Sequence, residues 1–380
     1  MGKELQVFQN FSHEDQDASF IVRGLEGLGL AAMARDFPNS GLVNKTFAMT
    51  PAEYEDQNYK AIKTMLHFCC QKTGLRVPSD STGMAMCFDN KMFETLFNSI
   101  ITETLSGIMV KTQPSQILAM ADITNVGVGD TRTFEIESKA LPLMQRTSYN
   151  SNVTLLDTWT KQSITVTPKP WTAGVTMDYI RILANDFDMG KEIAKINMSM
   201  LVAQYRLIVG IIFDSTPINN TPFYQPTWSP ANYVKLAQYL QVFNGTPGVK
   251  AYGTLPAFNT LAMLATKGIG FATQDDVIRE GYLGRIYGVD SVMIEQATSY
   301  SKPLTNDNVD SQLIVPDDKI VLLSDVGDKP VKLVRENYVR VIQDDQLSTS
   351  QTRLQYSFFN SFDAALATQA NYAIQGVQNS

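Results

Sequence analysis

The sequence predicts an α+β fold, and three observations carry that expectation. Apolar residues recur every three or four positions in several segments, the mark of amphipathic helices. Between these segments, and again late in the chain, the period falls to two, the mark of strands. Helices and strands do not alternate regularly, which argues against a repeating βαβ sheet. At 380 residues, with 44% hydrophobic, 10% aromatic and 18% charged side chains, the chain can bury more than one core.

The first ninety or so residues read as an irregular amino-terminal arm holding one helix. Thr50 is its N-cap, Pro51 takes the first helical position and Gly74 stops it. The stretch RGLEGLGL at residues 23–30 reads as a flexible bend. In DNKMFETLFNSIITETLSGIM, Asp89 or Asn90 caps a helix that sets Met92, Leu96, Ile100 and Leu105 near one face and ends at Gly107. The pattern then becomes strand-like, with Phe134 and Ile136 alternating against Arg132, Glu135 and Glu137, and Ile164 and Val166 against serine and threonine. These are the legs of a hairpin. If residues 130–149 form one leg at roughly 3.3 Å per residue, it reaches on the order of 50–65 Å. A two-stranded ribbon is marginal alone in water, so such a hairpin is expected to lie on another subunit.

No proline interrupts residues 171–216, and Ile193, Ile196, Met200, Ala203, Leu207 and Ile211 make a helical stripe behind Asp188 as N-cap. Gln204 and Arg206 break its most apolar part, so the helix reads as buried and not as membrane-spanning. Ser229 caps the next helix, Pro230 opens it, Leu236, Tyr239, Leu240 and Phe243 form its stripe, and Gly245 ends it. A strand around GVKAYGT, a helix over residues 255–266 and a glycine-rich turn come next. DKIVLLSD and KPVKLVRENYVRVIQDD read as strands, and LQYSFFNSFDAALATQANYAI as an aromatic-rich closing segment.

The chemical inventory is sparse. A net charge of −7 without a basic run argues against a dedicated nucleic-acid surface. Cys69, Cys70 and Cys87 are odd in number with two adjacent, so they read as small core residues of a protein made in a reducing compartment. The first twenty residues carry no apolar leader, which predicts synthesis in the cytoplasm. Only His13 and His67 titrate near neutrality, and neither belongs to a zinc or redox motif. Phosphate-loop and nucleophile-elbow patterns are missing. The pairs Asp275 and Asp276, Asp317 and Asp318, and Asp344 and Asp345 would point to opposite faces of a strand, and read as solvated turn residues. Asn306, Asp307, Asn308 and Asp310 lack the spacing and glycine of a calcium loop. Lys139, near the hairpin bend, reads as a surface lysine and not as a reactive amine. No cofactor, no metal and no catalysis are expected.

The turn GYLGRIYGVDSVMIEQ at residues 281–296 does not cradle phosphate, because no helix start follows its glycines and Val292 and Ile294 alternate like a strand. Gly281, Gly284 and Gly288 are expected to permit tight or left-handed backbone, and Arg285 to make a hydrogen bond within the turn or to another subunit. Arm, long hairpin, long helix, α+β body with Gly-x-x-Gly-Arg-Ile-x-Gly-Val, and strand-rich return together resemble the major capsid proteins of tailed bacteriophages, the Hong Kong 97-type fold, over residues 89–380.

That resemblance implies a structural protein that self-assembles into hexamers and pentamers of an icosahedral shell around double-stranded DNA, which it touches non-specifically. It implies a partition into an arm (1–88), an extended hairpin loop (128–177), an axial domain (229–342) and a peripheral domain. The peripheral domain would be built from residues 89–127, from 178–228 with the spine helix, and from 343–380. Assembly contacts would involve Phe134, Ile136, Lys139, Tyr149, Ile164, Val166 and Trp171 of the loop, with Gly281, Gly284, Arg285 and Gly288 shaping the axial turn. Partners implied are further copies of the chain, portal, and scaffold or decoration proteins, with no membrane; the location implied is the virion. Encapsulin compartments share the same fold and stand as an alternative. A cytoplasmic ligand-binding protein or enzyme, with a pocket at the glycine turn, is the rival of a different class. The long amino-terminal segment departs from the family pattern.

Overall fold

The computed structural model describes residues 16–37, 49–112, 120–136, 162–178, 181–182, 187–213, 223–245, 248–265, 284–294, 296–298, 312–324, 329–343, 353–367 and 372–378. The fold is α+β. Its helices are α1 (Gln16–Asp36), α2 (Pro51–Thr73), α3 (Ser81–Asp89), α4 (Lys91–Lys111), α5 (Met189–Phe213), α6 (Pro230–Asn244) and α7 (Leu255–Ala265). A four-stranded sheet runs β1 (Ala121–Val126), β10 (Val331–Gln343), β11 (Arg353–Leu366), β4 (Lys169–Asp178); β1 joins parallel and the rest antiparallel. A six-stranded sheet runs β5 (Tyr224–Thr227), β12 (Tyr372–Gln378), β9 (Lys319–Ser324), β6 (Val249–Gly253), β8 (Val289–Met293), β7 (Arg285–Ile286). Among the described residues β2 (Arg132–Ile136) and β3 (Gln162–Val166) pair only with each other, antiparallel.

Capping chemistry sets the helix ends as the sequence predicts. Thr50 and Glu53 make a capping box ahead of α2, and Gly74 closes it at φ +70°. Asn90 caps α4 through the amides of Met92 and Phe93. Asp188 caps α5 by accepting from the Lys191 amide at 2.9 Å. Pro230 opens α6 and Gly245, at φ +62°, closes it, while Ser229 takes the N-cap position in extended backbone without a side-chain cap bond. By length and composition α5 could cross a membrane, but α1, α4 and both sheets cover it, and Asn197, Gln204 and Tyr205 are all buried within it.

Several expectations fail, each for a packing reason. Residues 23–30 are the middle of α1 and not a bend. Glycine costs a helix interior about 0.5–1 kcal/mol, yet a Cβ on Gly29 would lie 2.6 Å from Ile108 Cδ1 of α4 and 2.8 Å from Ile193 Cγ2 of α5. The missing side chain lets three helices meet. Likewise Gly107 does not end α4; the helix runs on to Lys111, because the Glu26 carboxylate of α1 occupies the space a Gly107 side chain would fill and pairs with Lys111. The buried face of α4 is Phe93, Phe97, Ile100, Ile101, Leu105 and Ile108, while Met92 is exposed. Phe243 of α6 is also exposed, and Tyr233 takes its place in the buried stripe with Leu236 and Leu240. The described part of residues 1–88 is therefore no arm: α1, α2 and α3 contribute to the main core, beside α4, α5 and the inner face of the four-stranded sheet.

The strand assignments also move. β10, expected in the axial body, lies between β1 and β11 in the four-stranded sheet, where Val331, Leu333 and Val339 face α4 and α5. β12, expected in the peripheral return, lies between β5 and β9 in the six-stranded sheet. Side-chain alternation explains its place. Tyr372 and Ile374 point into the main core, whereas Ala373 and Val377 point into a second core under α6 and α7. Neighbouring β9 divides in the same way, Val321 and Leu323 against Ile320 and Leu322.

Candidate assembly surfaces

The glycine turn forms from the smallest possible hairpin. β7 and β8 pair Arg285 with Asp290 and Ile286 with Val289, leaving only Tyr287 and Gly288 to reverse the chain. Both adopt positive φ, +47° and +84°, the primed turn whose twist matches the flanking strands. Ile286 and Val289 are buried beneath it. The expected Arg285 hydrogen bond is local: its guanidinium donates to the Gly288 carbonyl at 3.2 Å and lies 3.4 Å from the Asp290 carboxylate. Both ionic side chains are largely exposed, so that pair contributes little to stability. Gly284 has an ordinary φ and open space around it, so it supplies no special conformation; its carbonyl accepts from the Ser291 amide at 2.9 Å. Gly281 lies outside the described residues.

At the foot of the predicted hairpin, β2 and β3 pair Phe134 with Ile164 and Arg132 with Val166, as the alternation requires. The Thr133 and Thr165 hydroxyls meet at 2.9 Å across the pair. Val166 is buried, Ile164 and Phe134 are half-buried, and β3 touches β11 of the four-stranded sheet. Ile136 faces Gln162 in the backbone register. Residues 137–161, with Lys139 and Tyr149, lie outside the described residues, and so does the expected reach of the loop. Trp171, the third residue of β4, is half-exposed, its ring stacked on Phe362 at 5.0 Å with only 5° between planes, and its indole N–H donating to the Phe362 carbonyl at 3.2 Å. Among the described residues, β2, β3 and β4 each pair on one side only.

Sequence reading missed the polar ladder beneath the hairpin, because alternation in KPVKLVRENYVRVIQDD signals only a strand. The Lys332 ammonium pairs with Asp122 of β1 and sits 5.8 Å from the Phe134 ring centroid. Arg335 is fully buried, donates from Nε to Asn125 at 2.7 Å, and burial lowers its pKa to about 10. Where β10 slips register against β11, the Asn360 amide donates to the carbonyls of Glu336 and Tyr338. The Glu336 carboxylate accepts the Gly129 amide at 2.9 Å, in the turn that leads from β1 to β2. Glu336 and Lys332 thus reach from β10 to the hairpin's root, while Arg335 with Asn125, and Asn360 with the β10 carbonyls, tie neighbouring strands of the sheet together.

The remaining candidates separate. Cys69, Cys70 and Cys87 are free and buried, and burial pushes all three thiols up, Cys69 and Cys70 to about 12. His67 is exposed; His13, Asp275, Asp276, Asn306, Asp307, Asn308, Asp310, Asp344 and Asp345 lie outside the described residues. Asp317 is not a free turn residue, since it accepts the Thr254 hydroxyl and a Gln296 amide proton. Among the described residues no three His, Cys, Asp or Glu side chains converge. A groove of about 460 Å³ runs between Arg206, Val209, Gly210 and Phe213 of α5 and residues 313–317.

Among solved structures, the chain is similar to the capsid of a native GTA particle (TM-score 0.47, 12% identity, covering 68% of this chain and 89% of that one). The mature capsid of bacteriophage PhiM1 gives TM-score 0.44 at 10% identity, covering 67% and 85%. The SrpI encapsulin of Synechococcus elongatus gives 0.38 at 13% identity, covering 70% and 88%. No curated protein matches the chain. The family model described as "SPbeta prophage-derived putative capsid protein YonB" matches residues 30–374, from the middle of α1 into β12. The chain belongs to this YonB family of prophage-derived capsid proteins.

Proposed function

We propose that this chain is a major capsid subunit that closes into an icosahedral shell of hexamers and pentamers around double-stranded DNA. The carrying observation is the β2–β3 pair, whose outer edges are unpaired among the described residues and which packs against β11, within a chain of a capsid family. An extended element of that kind gains its missing contacts when a neighbouring copy supplies them. The edge strand β4, with Trp171 half-exposed on it, offers one such contact. The net charge of −7 limits adhesion of the wall to packaged DNA. The subunit acts without turnover, is made in the host cytoplasm and ends in the virion. Its partners are copies of itself, a portal, and scaffold or decoration proteins.

Expression of the chain alone, followed by light scattering and electron microscopy, tests the proposal. Closed particles of uniform size are expected. A monomer or dimer persisting at high concentration, with saturable small-molecule binding, would overturn it in favour of a ligand-binding protein. Particles that hold a protein cargo and no nucleic acid in the native host would assign the shell to an encapsulin-type compartment.

A further inference from the structure

We infer that α1 and α2 are a permanent clamp on the amino end of α5, carried uncleaved into the assembled subunit. The particle step of this inference rests on the shell reading above; the clamp itself rests on geometry. The Asp188 carboxylate that caps α5 accepts the Tyr54 hydroxyl of α2 on the same oxygen that accepts the Lys191 amide. Its other oxygen accepts from Arg35 of α1 at 3.3 Å, and that guanidinium lies 4.3 Å from the centroid of the Tyr54 ring. Asn58 of α2 donates to the Phe187 carbonyl at 3.1 Å and accepts the Gly190 amide at 3.4 Å. Three side chains from the amino-terminal helices thus occupy the first turn of α5.

The sequence of α5 is shaped around this contact. A Cβ on Gly190 would lie 2.4 Å from the Tyr54 hydroxyl, so the glycine exists to let Tyr54 in. Further along, Gly29 of α1 lets Ile108 and Ile193 close on the helix axis. Leu25, Ala32 and Met33 are fully buried in the same seam. A segment destined for removal or displacement would leave these apolar faces of α4 and α5 in water and the Asp188 cap without two of its partners.

The first arm of the test uses the chain of residues 1–380. Subunits taken from purified particles are weighed intact and mapped by peptide mass spectrometry. Peptides of α1 and α2 are expected in equimolar amount with those of α5 and β11; particles whose subunits begin beyond Thr73 would overturn the inference while leaving the shell reading intact. A second arm needs no particles. A chain beginning at Asp89 is expected to be insoluble, and Tyr54→Phe to lower the thermal midpoint of the soluble subunit. A soluble Asp89 chain with the same cooperative unfolding as the full chain would refute the clamp. Absence of any particle from full-length chain would strike the shell reading alone, and the second arm would still decide the clamp.

Discussion

At the residue scale, Gly288 and Gly284 make a controlled pair. Both are exposed glycines of one motif, and spacing in the sequence treats them alike. Gly288→Val forces a β-branched side chain to φ +84°, which costs about 1–3 kcal/mol, whereas Gly284→Ala meets open space and stays within about 0.5 kcal/mol. Thermal unfolding of the two variants should separate them clearly; equal midpoints would contradict the turn geometry. Cys69 offers a pH test. Its folded pKa of about 12 stands above the ordinary thiol value of 9.0, so its contribution is fully present below about pH 9. That contribution is lost as pH rises towards 12, by up to about 1.4 kcal/mol per pH unit. Cys69→Ala is expected to flatten the fall in midpoint between pH 9 and 11, and an unchanged slope would show that the thiol does not hold its proton. What the sequence could say of these residues was their local chemistry: caps at Thr50, Asn90 and Asp188 followed from one or two neighbours. It could not say that Tyr54 meets Asp188, because that contact spans the fold.

At the element scale, the hairpin gives the sharpest prediction. Thr133 and Thr165 are opposite each other, and so are Arg132 and Val166, so removing residues 133–165 joins two chains already side by side. The shortened subunit should stay soluble with its thermal midpoint little changed, and should form no particle by electron microscopy. Regular particles from it would remove the hairpin from the assembly. Elements with a strong period were legible: α2, α5, α6, β6, β9 and β10 were all readable from patterning. Failures fell where tertiary packing overrides local preference. Three glycines in α1 mimic a loop, although Gly29 marks a close crossing of helices. Gly107 mimics a helix stop, although it marks a buried carboxylate.

At the scale of the whole molecule, partition into bodies was the least legible feature. β10 and β12 changed places relative to expectation, because which sheet a strand joins depends on partners such as β1 for β10 and β5 for β12, both over a hundred residues away, and no periodicity records a partner. Since β12 puts alternate side chains into two cores, unfolding of the unassembled subunit is expected to be one calorimetric transition, with Ile374→Ala and Val377→Ala lowering the same midpoint. Two separable transitions would show that the cores are independent.

The central position of β12 also fixes a schedule. Until residues 372–378 have left the ribosome, β5 and β9 have no strand between them and both cores lack the side chains that β12 supplies. The nascent chain can build helices but cannot complete a subunit, so no half-made copy presents a finished edge to its neighbours on the same polysome. Translation itself therefore delays completion of the six-stranded sheet until β12 has emerged.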